Sequence, residues 1–135
     1  MKKILIQEAD ESIRDVLKLS LEAEGFNVVL VAKCDKRLLA MIKIIRPTVM
    51  VLDFIGMGAE SVLMRRKIKS IYPTLPVLAI SCNNNISTIY AQFGFDGYIP
   101  KPFDLEVLFQ ILNTHARKSS QIFKNSKIQP QYNPP

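Results

Sequence analysis

The sequence predicts an α/β domain, a three-layer sandwich in which a five-stranded parallel sheet carries helices on both faces. Three observations lead there. Val49-Met50-Val51-Leu52-Asp53 is an unbroken apolar run ending in an acid, too short for a helix and suited to a strand buried on both faces. Ile4-Leu5-Ile6 and Val77-Leu78-Ala79-Ile80 have the same character. The intervening stretches place apolar residues at helical spacing, so strands and helices alternate strictly, and right-handed crossovers then leave few topologies. The strand order 2-1-3-4-5 is one of the two common solutions.

Taken in order, Lys2-Lys3-Ile4-Leu5-Ile6-Gln7 reads as a first strand ending near Gln7. Asp10 is a plausible N-cap for a helix with Ile13, Val16, Leu17, Leu19, Leu21 and Ala23 as its apolar stripe and Gly25 as its stop. Phe26 to Val31 forms the second strand. Asp35 caps a helix with Leu38, Leu39, Met41, Ile42 and Ile45 on its inner face, closed by Pro47. After the central strand and a loop over Phe54 to Gly58, Val62, Leu63, Met64, Ile68 and Ile71 mark a third helix, whose Arg65, Arg66, Lys67 and Lys69 read as a solvated face. The fourth strand ends at Ser81, and a short, mixed helical stretch carries Ile86, Ile89, Tyr90 and Phe93 up to Gly94. Gly97-Tyr98-Ile99 is the fifth strand, and Pro100-Lys101-Pro102-Phe103 turns into a last helix with Leu105, Val107, Leu108, Ile111 and Leu112 inward.

A chain of 135 residues fits one domain and needs no staple. Cys34 and Cys82 lack metal-ligand spacing and no secretory segment precedes them, so unpaired thiols and a cytoplasmic location are expected. No apolar run approaches the roughly 20 residues that span a bilayer, and no membrane partner is expected. The net charge of +6 is uneven: residues 1 to 115 hold fourteen Lys/Arg against twelve Asp/Glu, whereas 116 to 135 hold four basic residues and no acid. The expected division is therefore a folded domain at 1–115 and a basic, disordered tail or linker at 116–135. Twenty such residues build no helix-turn-helix, which argues against nucleic acid as a partner.

The residues just past the strands are Glu8, Asp53, Ser81 and Lys101. In an open parallel sheet these positions share the edge where ligands collect. Each alone has an ordinary structural explanation. Together, an acid pair, a hydroxyl and an ammonium are what phosphoryl transfer to a carboxylate requires, because the weak nucleophile and the phosphoryl group are both negative and a cation must hold them together. A Mg²⁺ ion on one or two carboxylates would serve, with Lys101 pairing the remaining charge and Ser81 donating to a phosphoryl oxygen.

From about Lys2 to His115 the chain resembles the receiver domains of two-component response regulators. Leu21-Glu22-Ala23-Glu24-Gly25-Phe26 is similar to that family's end of the first helix, Arg46-Pro47-Thr48-Val49-Met50-Val51-Leu52-Asp53 to its approach to the phosphoacceptor, and Gly94-Phe95-Asp96-Gly97-Tyr98-Ile99-Pro100-Lys101-Pro102-Phe103 to its fifth strand and lysine-proline turn. The resemblance implies a flavodoxin-like fold, with Asp53 as phosphoacceptor, Lys101 as the cleft lysine, Ser81 as the switch hydroxyl, Tyr98 as the switch aromatic and a cis Lys101-Pro102 bond. It further implies Mg²⁺ on Glu8, Asp53 and the Ile55 backbone carbonyl, and a histidine kinase or phosphotransfer protein as phosphodonor. The chain departs from the family where Ala9 replaces the second of two adjacent acids, which removes a direct metal ligand. Ser61 stands where glycine is usual, Met57 where proline is frequent, and the segment from Ser81 to Gly94 is about two residues short, which curtails the fourth helix.

Two functional readings follow. The first is a phosphorelay receiver that accepts phosphate on Asp53, catalyses at most its own phosphorylation and dephosphorylation, and signals by protein contact. The alternative is a pseudo-receiver acting as a phosphorylation-independent binding module. Asp53, Ser81 and Lys101 favour the first and Ala9 the second. A third reading, a nucleotide loop at Gly56-Met57-Gly58-Ala59-Glu60-Ser61, is weak, since its third glycine is Ser61, it follows the third strand rather than the first, and no Gly-Lys-Ser/Thr is present; a nucleotide titration without response would close it. The kinase, the downstream partner, homodimerisation and whether the chain stands alone or was cut from a longer protein are left open by the sequence.

Overall fold

A computed structural model describes the backbone of residues 2–128 and the side chains of residues 2–117. The chain alternates as β1 (Lys3–Gln7), α1 (Glu11–Ala23), β2 (Asn27–Val31), α2 (Arg37–Ile45), β3 (Val49–Asp53), α3 (Ala59–Ile71), β4 (Val77–Ser81), α4 (Ile86–Ile89), β5 (Gly97–Pro100) and α5 (Leu105–Ile128). All four strand pairings are parallel and the sheet order is β2-β1-β3-β4-β5, as the alternation predicted. The fold is the flavodoxin-like sandwich.

Because successive strand residues point to opposite faces, the apolar runs supply two cores. One face sets Ile4, Ile6, Val49, Val51, Leu78 and Ile80 against Leu17, Leu21, Leu108, Leu112 and Ala116 of α1 and α5. The other sets Leu5, Met50, Leu52, Val77 and Ala79 against Leu38, Ile42, Met64 and Ile68 of α2 and α3. Each fully buried aliphatic contributes about 1.5–3 kcal/mol. A strand that must do so on both faces has no room for polar residues, which is why β3 and β4 are apolar up to their final Asp53 and Ser81.

Helix ends follow local chemistry. Asp10 caps α1 by accepting the Ile13 amide, as expected. Lys36, not Asp35, occupies the N-cap of α2 and makes no side-chain bond there; Asp35 Oδ1 accepts the Arg37 amide from one residue further out. Cys34 and Cys82 are unpaired, on segments that follow β2 and β4 with two strands between them.

Several expectations need correction. Val16 and Leu19 of α1, Leu63 and Ile71 of α3, and Leu105 and Val107 of α5 are exposed. Arg65 and Lys69 are not simply solvated: Arg65 Nη1 donates to the Gly94 carbonyl at 3.2 Å and Lys69 pairs with Asp96 at 2.7 Å, so α3 grips the segment that enters β5. A Cβ on Gly94, which has φ 84°, would lie 2.6 Å from the Arg65 guanidinium carbon. Finally, α5 does not stop at His115. Ala116 is part of the core and the helix continues to Ile128, because no Gly or Pro interrupts the sequence before Pro130 and its Lys, Arg and Gln residues favour helix. The helix thus runs through 116–128 of the expected tail, and the rest of that tail lies outside the described residues.

Candidate functional site

The sheet register brings the predicted residues to one edge. Gln7 pairs with Leu52, Asp53 with Ile80 and Ser81 with Pro100, so the ends of β1, β3, β4 and β5 line up and the residues after them converge. Glu8 is completely buried, the Asp53 side chain is 2% exposed and the Lys101 side chain 13%.

Lys101 lies between the two acids, its ammonium donating to Glu8 Oε1 at 3.0 Å and to Asp53 Oδ1 at 3.2 Å. The other oxygens are also occupied. Glu8 Oε2 accepts the Asp10 amide at 2.9 Å, and Asp53 Oδ2 accepts the Ala9 amide at 3.1 Å. Burial pushes the Glu8 carboxyl above its ordinary range, and proximity to Asp53 adds to this, against the lowering effect of its bonds to Asp10 and Lys101. Burial alone would lower Lys101, yet the two carboxylates outweigh it and hold the ammonium above its usual value.

The Ser81 hydroxyl does not reach Asp53. It donates to the Phe54 carbonyl at 2.9 Å and accepts the Asn83 amide at 3.0 Å, one peptide away from the acid. Tyr98 is half-buried and its ring lies tilted against that of Tyr90, with 4.9 Å between centroids. The Lys101-Pro102 bond is cis. A cavity of about 420 Å³ opens beside Asp53, lined by Gln7, Ala9, Cys34, Met57, Glu60 and Ser61 among others. Ser61 is buried and its hydroxyl donates to the Gly58 carbonyl.

Two contributors were not singled out from the sequence. Gln7 Oε1 accepts the Asp53 amide at 3.0 Å while Gln7 Nε2 donates to the Ala32 carbonyl at 2.9 Å. Arg14 Nη1 donates to the carbonyls of Glu8 and Ala9 at 2.8 and 3.0 Å, fixing the loop after β1. A polar residue at the last position of a buried strand was the available signal for Gln7; nothing in the spacing marked Arg14.

Residues 4–113 match the model of the response regulator receiver domain. This chain belongs to the receiver domain family of response regulators. Among curated proteins, the receiver is 30% identical over 120 residues to the response regulator MprA of Mycolicibacterium vanbaalenii, with 87% of this chain and 52% of that protein covered. MprA of Mycobacterium avium is 31% identical over 119 residues. The chain spans about half the length of these curated relatives. Among solved structures, NtrX of Brucella abortus superposes with a TM-score of 0.81 at 26% identity, covering 96% of this chain and 30% of that one. The chemotaxis response regulator CheY4 of Vibrio cholerae gives 0.73 at 23% identity, covering 85% and 98%, a likeness of fold.

Receiver domains generally bind Mg²⁺ at their acidic pocket. The residues of this receiver fit that ion poorly. Mg²⁺ demands near-octahedral oxygen coordination, and the oxygens named for it are engaged: all four carboxylate oxygens as above, and the Ile55 carbonyl by the Gly58 amide at 2.9 Å. Ala9 supplies an amide in place of a carboxylate. Among the described residues no group of three or more His, Cys, Asp or Glu could hold a metal ion. No described helix is long and apolar enough to cross a membrane.

Proposed function

We propose that this receiver accepts a phosphoryl group on Asp53 from a phosphohistidine of a histidine kinase or phosphotransfer protein and signals by protein contact. Receiver domains of the family interact with such partners. The observation that supports the reading is the Lys101 ammonium 3.2 Å from Asp53 Oδ1 at the end of a buried strand, with a cavity alongside. An Asp53 oxygen forms the new O–P bond as the donor's P–N bond breaks. The electron pair leaves on the imidazole nitrogen, which takes up a proton from solvent. Lys101 offsets the repulsion between carboxylate and phosphoryl oxygens. Attack of water at phosphorus later breaks the Asp53 O–P bond, releases inorganic phosphate and restores the carboxylate.

The signal would leave through Ser81. A hydroxyl that exchanges its Phe54 carbonyl for a phosphoryl oxygen vacates space toward β5, into which the Tyr98 ring moves, away from Tyr90. The output surface on this reading comprises α4, β5 and α5. Ala9 favours a second reading, a binding module that works without phosphate. Intact mass after incubation with phosphoramidate decides between them. A phosphoryl adduct absent from Asp53→Asn supports the first reading, and no adduct on the folded parent protein supports the second.

A further inference from the structure

We infer that the cleft is not a divalent-metal site: its resident cation is Lys101, and Asp53 reacts, on the reading proposed above, without Mg²⁺. The inference rests on the donor set. Glu8 has no exposure to solvent, and its two oxygens are held by Lys101 and by the Asp10 amide. Each oxygen keeps a further lone pair, but an ion reaching Glu8 would have to enter a space closed to solvent and shed water that nothing there replaces. Without Glu8, the ion keeps Asp53 and the Ile55 carbonyl, both of which already accept a protein hydrogen bond. A hard dication that dehydrates reluctantly gains too little from one carboxylate and one carbonyl to displace the ammonium.

Charge leads to the same conclusion. Glu8 and Asp53 present two carboxylates, and Lys101 cancels one of them without the translational entropy that capture of a free ion costs, since it is tethered to the turn after β5. The loop that would present a third carboxylate carries Ala9 at that position. Its amide points at Asp53 Oδ2, and Arg14 holds its carbonyl from the other side. Main-chain N–H and ammonium together thus supply the positive field that a metal would bring, aimed at the oxygens that react.

The test uses Mg²⁺ itself, titrated into the parent chain, Asp53→Asn and Ala9→Asp while backbone amide signals are followed by NMR. The parent is expected to show no saturable shift at Ala9, Ile55 or Gly56, and Ala9→Asp to gain one. Saturable shifts in the parent that vanish in Asp53→Asn overturn the inference. A folded Ala9→Asp that stays silent overturns the assignment of Ala9 as the missing ligand. In parallel, labelling of the parent by phosphoramidate is timed with Mg²⁺ and with a chelator. Rates within about twofold are expected, and a fall of about tenfold or more on chelation overturns metal independence. If no adduct forms in either condition, the phosphoacceptor reading fails while the titration still decides whether the cleft takes metal.

Discussion

The side-chain oxygen of Gln7 accepts the backbone amide of Asp53 at 3.0 Å, so the end of β1 holds the end of β3 by a bond outside the sheet ladder. The same side chain donates to Ala32 beyond β2. One amide thereby fixes three strand ends around the acid. Gln7→Leu leaves the buried Asp53 amide without its partner, at about 1–3 kcal/mol, whereas the Ala32 carbonyl lies on an exposed residue that water can satisfy. A loss of about 1–3 kcal/mol in urea unfolding is expected. An unchanged midpoint would show that the strand ends hold their geometry without it.

Removing the cleft's cation isolates two buried acids. Lys101→Met is expected to destabilise by about 2 kcal/mol at pH 7, below the range for breaking a wholly buried pair because Lys101 retains some exposure. The pH dependence has a definite sign. Glu8 has a raised pKa in the folded state, so the native protein binds more protons than the unfolded chain, and stability falls as pH rises from the ordinary carboxylate range through the folded value. Without Lys101 that slope steepens, and the variant's deficit shrinks on acidification. Denaturation of both proteins at several pH values checks this; a deficit that grows toward acid would contradict it.

Cys34 should be a sluggish thiol. Burial, aided by Glu60, Asp35 and Asp53, pushes it from 9.0 up to about 11, which lowers its thiolate fraction about a hundredfold near neutral pH. Cys82 is exposed. With iodoacetamide at pH 8, peptide mass mapping should find Cys82 modified first, and Cys34 labelling should keep rising with pH up to about 11. Equal rates at the two cysteines would rule this out.

Two glycines with positive φ should differ in cost. Gly25, at φ 97°, faces open space, so Gly25→Ala brings only backbone strain of about 1 kcal/mol. Gly58, at φ 76°, lies against the Phe54 ring, which a Cβ would overlap. Phe54 in turn packs edge-on to Phe95 and tilted against Phe93. Gly58→Ala should therefore lose clearly more stability than Gly25→Ala in thermal melts. A smaller loss would mean that the ring cluster yields freely.

The sheet was legible because a strand buried on both faces leaves an apolar run with no alternative use, and β3 and β4 are such runs. Asp53 and Ser81 were legible as positions because they end those runs, and Lys101 because it directly follows the fifth strand. The helices were less so, since an apolar residue does not state which way it faces: Leu19 is 73% exposed although it lies between the buried Leu17 and Leu21. The single turn of α4 was foreshadowed by the short stretch from Ser81 to Gly94. Arg65 and Lys69 looked like solvated charges because their partners, Gly94 and Asp96, are distant in sequence. The continuation of α5 was not legible because a polar stretch with adequate helix propensity suits a linker and an exposed helix alike.

The central placement of β1 and β3 also orders the assembly of the chain in time. When synthesis has passed Asp53, the three strands β2, β1 and β3 are already available, and Glu8 and Asp53 can meet at their edge. Lys101 follows 48 residues later. The two acids thus come from the first half of the chain and their ammonium from the turn after β5, so the cleft's charges are balanced only where the last strand has joined the sheet.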